Sequence, residues 1–343
     1  MATERETDQR PPKRPTLEDV ARLAAVSSAT VSRVINGKSK VTDETRRSVE
    51  EAIARLGYRP SFAGRALVLQ RTATIGVVIS DIRNPFFPEI VFAVESEARK
   101  HGYLAILCDI EGSQQGDEVR RLIDHGVDGV LVASMITSEL RRLPTDELPI
   151  VLINEGHPAF EDSYVIPDYR AGAALATRHL AELGHDRIAH VRGPLSIYAS
   201  VEREQGYLDE LDTRGLEYVR SMPVPDFSPE SGRTAAHKLM QLSAPPSAIF
   251  VVNDYCALGV LHGLADLGLR VPQDVAVVGY DDIWPARLPS ISLTTVSSRI
   301  ETMSTLGTRM LLDMIAAGSK RADPVVLEPE LTVRSTSAAP AAS

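Results

Sequence analysis

Cysteine is scarce in this chain of 343 residues: only Cys108 and Cys256 occur. Two cysteines build no disulfide framework, which fits a reducing, cytoplasmic setting. Both sit among apolar residues, in "LAILCD" and "NDYCALG", so both are expected as buried free thiols. No run of 18 apolar residues is present, so no membrane helix is expected. The first residues, "MATERETDQRPPKRP", are charged and proline-rich with no apolar core, which excludes a secretory signal. Catalytic signatures are missing too. There is no HExxH, no Cys/His metal spacing, no GxSxG turn, and no GxGxxG after the first strand pattern. "GYDD" holds two adjacent carboxylates, Asp281 and Asp282, but neighbours on an extended chain point to opposite sides. An enzyme is therefore not expected, nor a cofactor or a metal.

A net charge of −9 argues against a nucleic-acid partner until its distribution is read. Residues 10–71 hold 13 Lys and Arg against 6 Asp and Glu, a net of +7, so the rest carries −16. A basic head on an acidic body is the asymmetry of a protein whose head meets nucleic acid.

The pattern divides accordingly. Residues 1–14 read as a disordered tail and 15–60 as a compact helical unit. Thr16 is placed to cap a first helix, with Asp19 able to complete a capping box. Leu17, Val20, Ala21 and Ala24 follow helical spacing. Ser27 is placed to cap a second helix that buries Val31, Val34 and Ile35. A third begins at Thr42, buries Val49, Ala52, Ile53 and Leu56, and stops at Gly57. Residues 61–73 link this head to a core over 74–335. There the apolar runs "TIGVVIS", "YLAILCD", "VDGVLVAS", "PIVLIN", "RIAHVRG", "SAIFVVN" and "VAVVGY" alternate with helix-length stretches. Such alternation predicts an α/β fold with parallel strands covered on both faces. Seven units exceed one ordinary sheet, so two doubly wound parallel-sheet subdomains around an effector cleft are expected. The first takes about 74–167 with a return near 296–320. The second takes about 168–295 with the C-terminal strand, and 336–343 is a tail.

With Val31, Val34 and Ile35 inward, the second helix presents Ser28, Ala29, Ser32 and Arg33 outward. A helix entering the major groove reads bases with its first turns. Small residues permit close approach, Ala29 suits a thymine methyl, and Arg33 can fork onto guanine O6 and N7. Ser27 and Thr30 can meet phosphate, with the helix N-terminus behind them. Thr16 is a further candidate at the start of the first helix. On periodicity alone, a capped surface helix with a lone arginine remains an equal reading.

"TLEDVARLAAVSSATVSRVING" and "VTDETRRSVEEAIARLGYRPS" resemble the LacI/GalR family of bacterial transcription regulators. "IGVVISDIRNPFFPEI", "VDGVLV", "RHLAELGHDRIAHVRGP", "VNDYCALGVL", "VPQDVAVVGYDD" and "SLTTV" follow in family order. The resemblance implies a helix-turn-helix head, a hinge, and a core like the periplasmic sugar-binding proteins. Ala25 stands where the family usually has glycine in a turn wanting positive φ. In the hinge, register with Tyr58 and Pro60 implies Leu67 as the apolar wedge in the minor groove, with Arg65 adding phosphate attraction. Gly64 replaces a common alanine and should make the hinge harder to order as a helix. Matching positions imply an effector site of Arg203, Asn253, Phe227 and Asp281. Phe86 and Phe87 stand beside the cleft by strand-end logic, and Asp168 starts the helix that crosses to the second subdomain.

Arginine, asparagine and aspartate around aromatic faces suit vicinal hydroxyls and sugar C–H faces. The expected effector is a sugar, sugar acid or polyol. A purine is disfavoured, because Ile197 replaces a second arginine of the purine-binding member. The expected partners are pseudo-palindromic operator DNA, the effector, and a second copy of the chain in a homodimer. "STSAAPAAS" carries no heptads for a tetramer. A transport binding protein shares such a core, but it would carry a signal peptide and no basic three-helix head. Trp284 is left open between the cleft mouth and a packed loop.

Overall fold

The computed structural model describes residues 15–35, 41–58, 71–110, 115–133, 143–155, 163–217 and 220–339. Two compact units divide between Thr72 and Ala73. The first unit contains α1 (Leu17–Leu23), α2 (Ser28–Ile35) and α3 (Asp43–Leu56). Thr16 and Asp19 close the capping box on α1, Thr42 caps α3, and Gly57 ends α3 in the left-handed conformation. Val20, Ala21, Ala24, Val31, Val34, Val49 and Ala52 form a common core, with Ile35, Ile53 and Leu56 packed around it. Each helix buries one stripe, the arrangement that short helices require to be stable.

In the second unit the order is β1 (Thr74–Ile79), α4 (Phe86–Lys100), β2 (Leu104–Asp109), α5 (Gln115–Asp124), β3 (Gly129–Ala133), β4 (Ile150–Ile153) and β5 (Ser163–Pro167). There follow α6 (Tyr169–Glu182), β6 (Ile188–Arg192), α7 (Tyr198–Arg214), β7 (Ser221–Pro223), α8 (Pro229–Met240), β8 (Ala248–Val251), α9 (Asp254–Asp266) and β9 (Ala276–Asp281). The chain closes with β10 (Thr294–Ser297), α10 (Ile300–Ala317), β11 (Val325–Leu327) and β12 (Glu330–Thr332). Two six-stranded sheets result, ordered β11-β5-β4-β3-β1-β2 and β12-β10-β9-β8-β6-β7. All pairings are parallel except β10 with β12. Every residue of β1, β3, β4, β5, β8 and β9 is buried. Helices cover both faces, which is why these strands read as continuous apolar runs. No described helix is long and apolar enough to cross a membrane.

The structure corrects two boundary expectations and one of burial. The return to the first sheet begins after β10, which pairs with β9 in the second. It comprises α10 and β11, so it runs past 320. Arg309 of α10 fastens it, with its Nε 2.6 Å from the buried Glu97 carboxylate of α4. Residues 336–338, expected as tail, are bound into the second subdomain. The Val277 N–H donates to the Thr336 carbonyl, and the His185 ring meets the Ala338 carbonyl at 2.8 Å. Cys108 is half-buried rather than buried. Its strand β2 is a sheet edge, where Leu104 (67%), Ile106 and Leu107 remain exposed.

Candidate functional site

On the head, the expected outward face of α2 is outward. Ser28, Ala29 and Arg33 are exposed and Ser32 is half-buried. Ser27 caps the helix by accepting the Thr30 N–H at 3.2 Å. The two hydroxyls lie 2.9 Å apart, so one hydroxyl proton is held between them and the other is left to donate outward. Thr16 is exposed beside its own helix start. The turn between α1 and α2 runs through Ala25 at φ 52°. The Val26 N–H reaches back to the Ala21 carbonyl at 3.0 Å. A Cβ in that conformation costs roughly 1–2 kcal/mol, so the turn closes under strain. Arg65 and Leu67, and Gly64 with them, lie outside the described residues.

In the core, strand ends carry the polar groups. Both sheets reverse strand order, at β1/β3 and at β6/β8, and such switch points open a crevice at the C-terminal strand ends. Arg203 on α7 is buried there. One guanidinium nitrogen donates to the Val252 carbonyl at 2.7 Å, beside Asn253. Another is 3.2 Å from Asp281 Oδ1. The guanidinium lies 3.8 Å from the centroid of the Tyr280 ring and 5.2 Å from that of Tyr169. Such cation–π contacts strengthen when desolvated. Ser298 donates to the same Asp281 oxygen at 2.9 Å. Burial pushes the Asp281 carboxyl up to about 6, although Arg203 and Ser298 pull it down. Phe227 stands against the end of β6, where a Cβ on Gly193 would lie 2.6 Å from its ring. Phe227 and Phe87 line a cavity of about 450 Å³, together with Asp81, Arg83, Asp226 and Tyr255. The two rings come from different subdomains.

Arg203 and Asp281 thus meet beside Asn253 at the strand ends, and Phe87 and Phe227 share the cavity wall. Asn253 also works locally, its Oδ1 accepting the Cys256 N–H at 2.9 Å to cap α9. Phe86 is a correction: it is buried in the core, edge-on to Phe87 with centroids 5.4 Å apart. Its helical position turns it into the sheet rather than the cavity. Asp168 is exposed and caps α6 through the Ala171 N–H at 2.9 Å. The Asp281–Asp282 stretch is not extended, with φ of 113° and 58°. The carboxylates nonetheless part company: Asp282 pairs with Arg334 at 2.6 Å, while Asp281 faces Arg203. Trp284 is half-exposed on a 3-10 turn, its backbone N–H 2.7 Å from the Glu89 carboxylate of α4. It therefore ties the two subdomains through its backbone.

Sequence reasoning missed Glu155. It follows β4, is fully buried, and burial raises its carboxyl to about 8 against the pull of Arg203. The strand-end logic that selected Phe86 and Phe87 also selects it, since "PIVLIN" ends one residue earlier. Tyr169 and Ser298 were missed as well. Ser298 follows β10, a strand too short to be seen as one.

A family model for bacterial regulatory proteins of the lacI family matches residues 16–61. A periplasmic binding protein-like domain model matches residues 177–337. The HTH-type transcriptional regulator CelR of Thermobifida fusca is 37% identical over 336 residues, covering 94% of this chain and 98% of that protein. The chain belongs to the LacI family. The HTH-type transcriptional repressor PurR of Vibrio atlanticus (strain LGP32) is 35% identical, covering 94% of this chain and 98% of the relative. Among solved structures, a lac repressor dimer bound to operator and the anti-inducer ONPF matches with a TM-score of 0.85 at 28% identity, covering 95% of this chain and all of that one. A CelR–cellobiose complex matches with a TM-score of 0.70 at 36% identity, covering 94% and 100%. As a LacI-family member the protein is a DNA-binding transcriptional regulator and not an enzyme.

Proposed function

We propose that this LacI-family protein is a homodimeric repressor whose operator affinity is set by a small hydroxylated effector. The effector, a sugar, sugar acid or polyol, binds the core cleft. The buried Arg203–Asp281 pair and the cavity framed by Phe87 and Phe227 carry this reading. The pair offers donors and acceptors for vicinal hydroxyls, and the rings offer faces for sugar C–H groups. The similarity to CelR, whose solved complex holds cellobiose, favours a sugar. Ile197 precedes α7 with an apolar side chain, which gives no second fork for a purine.

The two heads bind the half-sites of a pseudo-palindrome. Arg33 reads guanine, Ser28, Ala29 and Ser32 permit close approach, and Ser27, Thr30 and Thr16 position the head on phosphate. The hinge at 61–73 supplies the Leu67 wedges and the Arg65 charges. The second copy docks on the exposed apolar surface of β2 and on Phe92 of α4, which is 74% exposed. An unpaired apolar edge strand needs such cover. Effector binding changes the relation of the subdomains and through it the hinges. By linkage, operator DNA changes effector affinity by the same factor.

Binding to a palindromic duplex across a salt series, with and without candidate ligands, tests this. A steep fall of log K with log salt is expected from the heads. A sugar or polyol should raise the melting temperature of the core and shift duplex affinity. A shift produced by purines alone overturns the effector reading.

A further inference from the structure

Subdomains that move on one another need contacts between them that can be made and broken, and one such contact stands outside the cavity. The turn Trp284–Arg287 belongs to the second subdomain. It is fixed there from behind. The Ile283 N–H donates to the buried Asp254 carboxylate of α9 at 3.0 Å, and Arg287 donates to the Asp282 carbonyl at 2.7 Å. Asp282 in turn pairs with Arg334. From the first subdomain comes Glu89 of α4. One of its carboxylate oxygens accepts the Trp284 N–H at 2.7 Å, and the other lies 3.9 Å from the Arg287 guanidinium. Glu89 is half-buried. Burial raises its carboxyl, the Trp284 N–H and Arg287 draw it back, and Asp282 raises it again. A donor and a cation of one subdomain therefore hold an acid of the other.

Both halves of this contact begin beside candidate effector contacts. On α4, Phe87 lines the cavity and Glu89 follows within the same first turn. On the other side, Asp281 ends β9 and the turn starts at Trp284. The link between Asp281 and the turn is not slack. Asp281 and Asp282 hold φ of 113° and 58°, values that residues with side chains keep only where the surroundings fix them. Here Arg203 and Ser298 fix Asp281, and Arg334 and Arg287 fix Asp282. Glu89 is also within electrostatic reach of Asp281. A ligand that engages Asp281 or the Phe87 ring acts on segments that carry the Glu89 contact one turn further on. A contact between two bodies that is either made or broken is the two-state element that coupling between sites requires.

We infer that Glu89 is a positioning residue of the effector response: its clasp on the Trp284 N–H and Arg287 stabilises the present relation of the subdomains, and release of the clasp shifts operator affinity. This rests on the effector response proposed above and names the contact through which it passes.

Trp284 is the single tryptophan of the chain. Full-length protein labelled with the NMR-active nitrogen isotope in tryptophan alone therefore gives one backbone amide signal, and that amide is the clasp donor. Its hydrogen exchange should speed up at least about tenfold in Glu89→Ala, the scale of a hydrogen bond to a charged acceptor. It should stay within about threefold of wild type in Glu89→Gln, whose side-chain oxygen accepts the same N–H. Glu89→Ser is a second releasing variant, and thermal unfolding shows that each variant folds. Duplex binding is measured on the palindrome that wild type selects from a randomised pool, alone and with glucose, galactose, cellobiose or sorbitol. Ligand-free affinity should differ from wild type by about threefold or more in the releasing variants, and by less than about twofold in Trp284→Phe, which keeps the backbone donor. Folded releasing variants with wild-type amide exchange overturn the inference. So do releasing variants with wild-type duplex affinity, alone and with every sugar. A Trp284→Phe protein as altered as Glu89→Ala overturns it too, since the indole would then be the working group. If none of the four ligands shifts duplex binding by wild type, the effector reading fails by itself, while amide exchange and ligand-free duplex binding still judge the clasp.

Discussion

Glu155→Gln should make the protein more stable at neutral pH, and the size of the gain follows from where the residue sits. Glu155 is fully buried after β4, and its carboxyl is raised from an ordinary 4.5 to about 8, by burial first and despite the pull of Arg203. A group whose pKa is raised on folding contributes fully below its unfolded value, and the contribution is lost as pH rises through the folded one. The window here is therefore pH 4.5 to 8. At pH 7 the chain lies roughly 2.5 units above the ordinary value, and each unit is worth about 1.4 kcal/mol, giving a penalty of about 3 kcal/mol. Glutamine has the same shape and no proton to hold, so most of that penalty disappears, less the desolvation of its own amide. At about 2–4 °C per kcal/mol for a domain of this size, the melting temperature should rise by roughly 5 °C at pH 7 and hardly at all at pH 4.5. The groups facing Glu155 include Arg203 on α7 and Tyr169 on α6, and Arg203 in turn meets Asp281 at the end of β9. Asp281 titrates in the same window, so the wild-type-minus-variant difference is the quantity to follow by calorimetry from pH 4.5 to 8. A difference that does not grow with pH, or a variant less stable throughout, would refute the account of Glu155 as an unpartnered buried acid.

Three further outcomes are expected. Ala25→Gly relieves a Cβ held at φ 52° and should stabilise the head by about 0.5–1 kcal/mol after the added freedom of the unfolded chain is subtracted. Helical circular dichroism of the head transition on heating checks this, and an unchanged or lowered midpoint removes the strain argument. Arg33→Ala should weaken specific operator binding by about 1–3 kcal/mol while non-specific duplex binding changes little. Equal losses in a competition titration would place Arg33 on phosphate instead of base. Asp281→Asn, which tolerates the positive φ of that position, deprives Arg203 of its buried counter-charge and should cost the effector response about tenfold or more in affinity. It should leave operator binding in the absence of effector, as measured by duplex titration with and without sugar.

Periodicity located the three head helices, seven of the strands and the helices between them, because each buries a stripe or a whole strand and writes that burial into composition. It did not locate β5, β7, β10, β11 and β12. Three of these have only three residues, too few to carry a period, and they are held by their neighbours' ladders. "YLAILCD" reads as a buried strand and is an edge, since hydrophobicity records burial against anything, including a second chain. In the cleft, the family resemblance led to Arg203, Asn253, Phe227 and Asp281, and strand-end position led to Phe86 and Phe87. Phe86 and Phe87 are indistinguishable by that logic, and only the direction of each side chain on α4 separates core from cavity wall.

The sequence by itself determined the two-part plan, the basic head against an acidic body, and the family. Those depend on local spacing, charge and motif order, which a chain carries without folding. It also fixed the outward face of α2, because a helix with one apolar stripe has only one way to turn it. Tertiary structure decided what each polar residue does. Arg203 meets Asp281 across 78 positions of sequence, and Glu155 is buried with its Oε2 unpartnered among the described residues. A pairing, or the lack of one, arises from distance and burial in three dimensions, and neither quantity is a property of any residue alone.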